Sequence, residues 1–302
     1  MSLLSNSPFN PDNQRAYLEW RERKLENYPA TLADITIEIA DPFNLTGEEF
    51  RAVFAGLALA NMVIYKTPLG ENPDKRIPAA IMKRFGATRH DRNPEADENG
   101  VTTITPKSEE EYDAASYDYI PYSYKAIQWH TDGYYNPPEK RVLSLILHCV
   151  QNAATGGENE LLDHEIMYIL LRDMSPEFIR ALMMDDVMTI PARMEGSKVA
   201  RPDQPGPVFF VDGETGKLHV RYTHRTRSIV WKNDPVTRAA VEAIRGILSA
   251  ETTPVLKGTL KPGWGLLCNN VLHTRSAFGE NVGEAQRTMY RIRSYDNLEI
   301  SI

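Results

Sequence analysis

Three residues have the types that bind a metal and keep it open for chemistry. They are His130 and Asp132, within Trp129-His130-Thr131-Asp132-Gly133-Tyr134-Tyr135, and His273 far downstream. Along a β-strand, side chains two positions apart share a face, so His130 and Asp132 can aim at one point. A distant histidine then gives two imidazoles and one carboxylate, the donors that hold a non-haem ferrous ion while leaving positions free for a co-substrate and dioxygen. One His-x-Asp pair alone says little, because the chain has 7 histidines and 41 acidic residues. The same donors also suit a Zn(II) hydrolase that activates water, or a jelly-roll metal-binding protein without turnover.

An arginine strand adds weight to the oxygenase reading. In Arg287-Thr288-Met289-Tyr290-Arg291-Ile292-Arg293, alternation puts Arg287, Met289, Arg291 and Arg293 on one face. Unpaired guanidiniums are costly to bury, so if this face lines an interior a bound carboxylate explains at least one of them. An edge strand with arginines in solvent is the plainer alternative. Tyr134, Tyr135, His224, Arg225 and Arg275 are candidate substrate contacts, suiting either a cation on aromatic faces or an anion on arginine. The basic run Arg221 to Arg227 that holds two of them reads more simply as a solvated loop. Tyr117, Tyr119, Tyr122 and Tyr124 suggest an aromatic wall, but the step across Ile120-Pro121 breaks their facing and favours packing. His148 reads as a core histidine, and His164 and His219 as surface residues at element ends.

The elements that must position these groups follow from periodicity. A helix is expected from Pro11 to Glu26, a strand over Asp34–Ile39, and a helix capped by Thr46 with Glu49 three residues later, running to Asn61. Met62–Tyr65 reads as a short strand. Residues 70–116 form a loop-rich insertion with a short helix near Ala79–Phe85 and the acidic run Ser108–Glu111, which reads equally as a lid or as a solvated surface excursion. Val142–Val150 is apolar enough for a strand buried on both faces. Thr155-Gly156-Gly157 turns into the next strand, helices begin near His164 and at Ser175-Pro176, and Asp212–Gly216 joins a hairpin. Asp234-Pro235 opens another helix, and Leu266–Cys268 is a strand leading to His273.

Composition sets the frame. The chain of 302 residues, 42% hydrophobic and 25% charged, is long enough for one large domain, read as 1–302 with an N-terminal helical extension over about 1–30. Met1–Arg15 lacks the pattern of a secretory signal and no apolar run spans a bilayer, so no membrane partner and a cytoplasmic location are expected. Cys149 and Cys268 read as reduced core thiols. A net charge of -7 argues against nucleic acid, while a homo-oligomer is left open.

Taken together, His130-x-Asp132, His273 and Arg287 resemble the Fe(II)/2-oxoglutarate dioxygenases of the taurine dioxygenase superfamily. Within it, Trp129–Gly133, Leu147–Asp163 and Val271–Arg275 look closest to the γ-butyrobetaine and trimethyllysine hydroxylase branch. The resemblance implies a mainly β fold with flanking helices, the double-stranded β-helix or jelly roll. It implies Fe(II) on His130, Asp132 and His273, with 2-oxoglutarate held by Arg287 and supported by Asn159 and Arg291. It also implies O2 as oxidant, succinate and CO2 as products, and a small amine, sulfonate or carboxylate as substrate. With Asp132 filling the carboxylate position, hydroxylation or oxidative cleavage is expected rather than halogenation. Two features depart from the pattern. Asn159 stands where many relatives have threonine, and Cys268 stands where an asparagine often precedes the second histidine. The cysteine-rich N-terminal region of eukaryotic γ-butyrobetaine hydroxylases has no counterpart here.

Overall fold

A computed structural model describes residues 6–107, 120–225, 229–279 and 286–298. Ser108–Glu111, Tyr117, Tyr119 and the end of the basic run at Thr226-Arg227 lie outside the described residues. Six helices are described: α1 Gln14–Glu26, α2 Gly47–Ala60, α3 Arg76–Arg84, α4 His164–Met174, α5 Pro176–Leu182 and α6 Pro235–Ser249. Their starts follow local chemistry. Thr46 Oγ1 accepts from Glu49 N while Glu49 reaches back to Thr46 N, a reciprocal cap on α2. Asp234 accepts from Thr237 N at 2.9 Å and opens α6 ahead of Pro235, where a missing N–H costs nothing.

Two sheets carry the architecture. One has six strands in the order Thr36–Glu38, Met62–Lys66, Trp264–Cys268, Ser144–Gln151, Thr288–Ser294 and Thr102–Ile104. Its first pair is parallel and the rest antiparallel. The other has four strands in the order Leu256–Gly258, Asn159–Leu162, Leu272–Arg275 and Ile127–His130. Met62, Ile64, Leu145, Cys149 and Met289 of the first sheet meet Leu161 and Leu256 of the second, with Val271 just ahead of its third strand, in one apolar cluster. Ile146, Val150, Tyr290 and Ile292 emerge on the opposite face, under α2 and α3. Trp129, Leu162 and Leu272 on the outer face of the smaller sheet pack with α4, α5, α6 and Tyr17 of α1. The layers therefore run helices, large sheet, small sheet, helices, a mixed helix-and-sheet architecture. No described helix is long and apolar enough to cross a membrane.

Several expectations shift. Residues 32–35 wind into a 3-10 turn, so the first strand starts only at Thr36. The helix expected over Ala79–Phe85 begins at Arg76, and it packs through Ile77 and Ile81 on the face of the large sheet turned away from the other sheet. That part of the 70–116 insertion packs as structural support on the large sheet. His164 and His219 are not surface residues: both are buried and their rings stack 6.1 Å apart. Arg221, too, is buried rather than solvated. Its guanidinium donates to the carbonyls of Tyr134, Met188 and Gln204, so an uncharged cage of backbone oxygens satisfies it. His148 is the core histidine expected, its Nδ1 3.0 Å from the Tyr65 hydroxyl, and both cysteines are buried free thiols.

Candidate active site

The antiparallel register of the small sheet pairs His273 directly with His130, which brings together residues far apart in the chain. Their ring centroids lie 4.2 Å apart. The strand ends at His130, and Asp132 sits in the turn beyond it rather than on the strand, with its Oδ1 3.7 Å from His130 Nε2. Gly133 makes that turn possible. It has φ +66°, and a Cβ there would stand 2.5 Å from Val142 Cγ2.

The donor atoms are aimed by backbone carbonyls. His130 Nδ1–H donates to Gln128 O at 2.8 Å and His273 Nδ1–H to Val271 O at 2.9 Å, which leaves the Nε2 lone pair of each ring free. Ligand atoms of His130, Asp132 and His273 all fall within 4.8 Å of one another. Burial, with the neighbouring His273, pushes the His130 imidazole down to about 3 against the pull of Asp132, so the ring stays neutral. Burial alone would raise the Asp132 carboxyl, but Arg291, Arg293 and the two imidazoles outweigh it and hold it well below the usual carboxylate range. Asp132 Oδ2 is buried and accepts no hydrogen bond; its near neighbour is the Arg291 guanidinium, 3.2 Å away. Two imidazoles whose Nε2 atoms face an ionised carboxylate with an unsatisfied oxygen suit a divalent transition metal.

Asn270 was missed by sequence reasoning. Held at φ +50°, it accepts from Asp132 N at 2.9 Å and donates to Asp132 O at 2.9 Å and Val142 O at 2.7 Å, clamping the turn that carries the carboxylate. The adjacent asparagines and a tolerance for left-handed backbone were the only signal.

The triad opens on a cavity of about 790 Å³. The arginine face is as the alternation predicts: Arg287, Met289, Arg291 and Arg293 all line it. Arg287 lies against the Phe278 ring at 5.0 Å and has no carboxylate partner among the described residues; burial lowers its pKa. Gly157 leaves room beside it, because a Cβ there would stand 3.5 Å from Arg287 Nε. Asn159 lines the same cavity and donates to Thr274 O at 2.9 Å. Arg291 belongs to Asp132, and Arg293 pairs with Asp91 and donates to the Tyr135 hydroxyl at 3.1 Å.

The substrate candidates divide. Tyr134, Tyr135 and Arg225 line the cavity. His224 does not; its Nδ1 lies 3.1 Å from the Tyr222 hydroxyl. Arg275 reaches the cavity wall, but its Nη groups are taken by the carbonyls of Ile120, Pro121, Ser123 and Lys125, so it braces the approach to His130. Tyr122 is core and Tyr124 packs on Phe278 at 5.3 Å. Among the lining elements without a sequence-based expectation is the hairpin of Arg193–Glu195 with Lys198–Arg201, turned at Gly196 with φ +60°. Glycine at the first of two turn residues was its only signal.

The Taurine catabolism dioxygenase TauD, TfdA family model matches residues 26–293. Among solved structures, an asparagine oxygenase in complex with Fe(II), 3-hydroxyasparagine and succinate shares 14% identity, over 86% of this chain and 93% of that one, with a TM-score of 0.55. The non-haem iron oxygenase OrfP, in complex with Fe, succinate and (3S)-hydroxy-L-Arg, shares 17% identity over 84% and 82% of the two chains, with a TM-score of 0.57. A taurine dioxygenase from Burkholderia xenovorans shares 14% identity over 86% and 87%, with a TM-score of 0.55. No curated protein sequence matches the chain. At such identities these structures speak for the fold, whereas the family model covers nearly all of the sequence that bears the site. On that match the chain belongs to the TauD/TfdA dioxygenase family.

Proposed function

We propose that the chain is an Fe(II)- and 2-oxoglutarate-dependent dioxygenase that oxidises a small molecule. His130, Asp132 and His273 would hold the iron and Arg287 the distal carboxylate of 2-oxoglutarate, with Asn159 beside it. Arg291 steadies Asp132 in its ionised form rather than binding the co-substrate itself. Iron so held, with 2-oxoglutarate and O2, supplies the oxidising power for attack on a substrate C–H bond, and succinate and CO2 leave. The protein's part is to aim both imidazoles through their Nδ1–H bonds to backbone carbonyls, fix the Asp132 turn through Asn270, and hold co-substrate and substrate in one cavity. The two facing sheets fit a double-stranded β-helix forming one domain over 1–302.

The observation that carries this reading is the buried Arg287 on the same cavity wall as the triad, with no carboxylate of the described residues to satisfy it. A zinc hydrolase has no use for such a clamp. Local likeness of Trp129–Gly133 and Val271–Arg275 favours the γ-butyrobetaine and trimethyllysine hydroxylase branch for its motifs, but a wall rich in arginine does not suit their quaternary-ammonium substrates. Anaerobic addition of Fe(II) and then 2-oxoglutarate should give a weak visible charge-transfer band. A folded, iron-loaded sample that showed no band and released no succinate in air would overturn the proposal.

A further inference from the structure

Among the described residues, two that are not glycine hold left-handed backbone, Asn61 at φ +57° and Asn270 at φ +50°. Such conformations cost free energy and persist where the surroundings demand them. Both belong to one corner of the molecule, because the residue before Asn270 is bonded to Asn61. The clamp on the Asp132 turn accounts for Asn270. Asn61 has no described hydrogen bond to the triad. It ends α2, where its N–H donates to Leu57 O at 2.9 Å, and a helix end of that shape is met as well by glycine. What asparagine adds is a buried amide that joins three elements.

Its Nδ2 donates at 3.0 Å to Asp163 Oδ1, the carboxylate that caps α4 and pairs with Lys24 of α1 at 2.6 Å. That bond to an anion fixes which way round the amide lies and turns its Oδ1 toward Asn269. Asn269 Nδ2 donates to Asn61 Oδ1 at 3.0 Å, and Asn269 N to Asn61 O at 2.9 Å. Lys24, Asp163, Asn61 and Asn269 are all buried, and the Asn269 side chain has no other hydrogen bond among the described residues.

Residues 269–271 are the crossing from the large sheet, whose strand ends at Cys268, to the small sheet, whose strand begins at Leu272. Two of the three triad residues depend on it. Asn270 grips both backbone groups of Asp132, and Val271 O accepts from His273 Nδ1 at 2.9 Å. A shift of this crossing moves a carboxylate and an imidazole together, and Asn61 is its polar anchor to α2 and α4.

Resting on the metal-site reading above, we propose that Asn61 is a remote positioning residue of that centre: through Asn269 it fixes the crossing that aims Asp132 and His273, while Asp163 and Lys24 hold its other end.

Asn61→Gly keeps the left-handed helix end and removes only the amide. In the full-length protein, anaerobic titration should show Fe(II) binding weakened roughly tenfold, as for groups that orient a ligand without being one. Asn269→Ala leaves α2 intact and should show the same loss, which decides the matter should Asn61→Gly fail to fold. The double variant Asn61→Gly/Asn270→Ala should lose no more than Asn270→Ala alone, since both act on one turn. Val53→Ala, a truncation in the apolar face of α2, should lower stability and leave iron affinity unchanged. Unchanged affinity in the folded Asn61 and Asn269 variants, an equal loss in Val53→Ala, or losses that add in the double variant each overturn the proposal. Wild type that binds no Fe(II) would instead sink the metal-site reading. The anchoring is then decided on metal-free protein by hydrogen exchange at the Asp132 amide, which donates to Asn270 Oδ1. Exchange there should be roughly tenfold faster in Asn61→Gly, and an unchanged rate overturns the proposal.

Discussion

The molecule holds two pairs of close histidines, and they are alike in the property most often taken to mark a site. His130 faces His273 with ring centroids 4.2 Å apart, and His164 stacks on His219 at 6.1 Å. Burial pushes one imidazole of each pair, His130 and His219, down to about 3. What separates them is how the rings are wired. In the first pair both Nδ1–H groups go to carbonyls two residues back, so both Nε2 lone pairs point toward a carboxylate with an unsatisfied oxygen, beside a cavity. In the second, His164 spends Nε2–H on Leu218 O, and His219 is sandwiched between the His164 ring at 6.1 Å and Phe210 at 5.3 Å. The neighbouring Asp163 is taken by Lys24 and Asn61. A depressed imidazole pKa thus reports burial. Function is reported by lone pairs that converge.

The comparison breaks most sharply at the carboxylate. Asp132→Ala should reduce succinate formation from 2-oxoglutarate to background and abolish stoichiometric iron binding, whereas His219→Phe, if folded by circular dichroism, should keep both. Loss of iron binding in folded His219→Phe would show that the two pairs are not functionally distinct. The next effect concerns the neighbour that only the first pair possesses. Arg287→Gln removes a buried charge-assisted contact, and the 2-oxoglutarate concentration for half-maximal succinate release should rise roughly a hundredfold while iron still binds.

How far this was legible in the sequence depends on whether partners are local. His130, Asp132, His273 and Arg287 could be picked out because their residue types and spacing together resemble a known family, although Asp132 lies in the turn after its strand and not on it. Burial of His164 and His219 could not, because His164 lies between Asp163 and Glu165, His219 sits on a short hairpin strand with no local sign of which face is covered, and only the packing of α4 against the Phe209–Val211 and Leu218–Val220 hairpin encloses them. Arg275 looked like a ligand contact and Arg221 like part of a solvated loop because a sequence cannot show a cage of carbonyls. The hairpin Arg193–Arg201 was invisible for the opposite reason. It carries exposed Met194 and Val199, has no apolar alternation, and follows a cavity wall rather than a core.

Asn270 sharpens the comparison from the side of support. Asn270→Ala strips three hydrogen bonds from the backbone around Asp132 and leaves buried groups unpaired, at a cost of about 1–3 kcal/mol in stability. Because it orients a ligand without being one, iron affinity should fall roughly tenfold to a hundredfold, not vanish. Equilibrium dialysis against Fe(II) under argon, beside chemical denaturation, separates the two effects.

The smallest expected effect isolates the second pair. Both His164 and His219 have folded pKa values below the unfolded value of about 6.5, His219 at about 3. The unfolded chain therefore binds more protons as the pH drops below about 6.5, so the stabilising contribution is complete above that value and is lost on acidification toward 3. Each such histidine contributes up to about 1.4 kcal/mol per pH unit in that window. His219→Phe keeps an aromatic ring against Phe210 and removes one titrating group, so unfolding free energies measured between pH 6 and 5 should decline less steeply than in the wild type by about that amount. An unchanged slope would mean that the His219 ring already carries its proton in the fold, and the likeness between the two pairs on which the contrast rests would be lost.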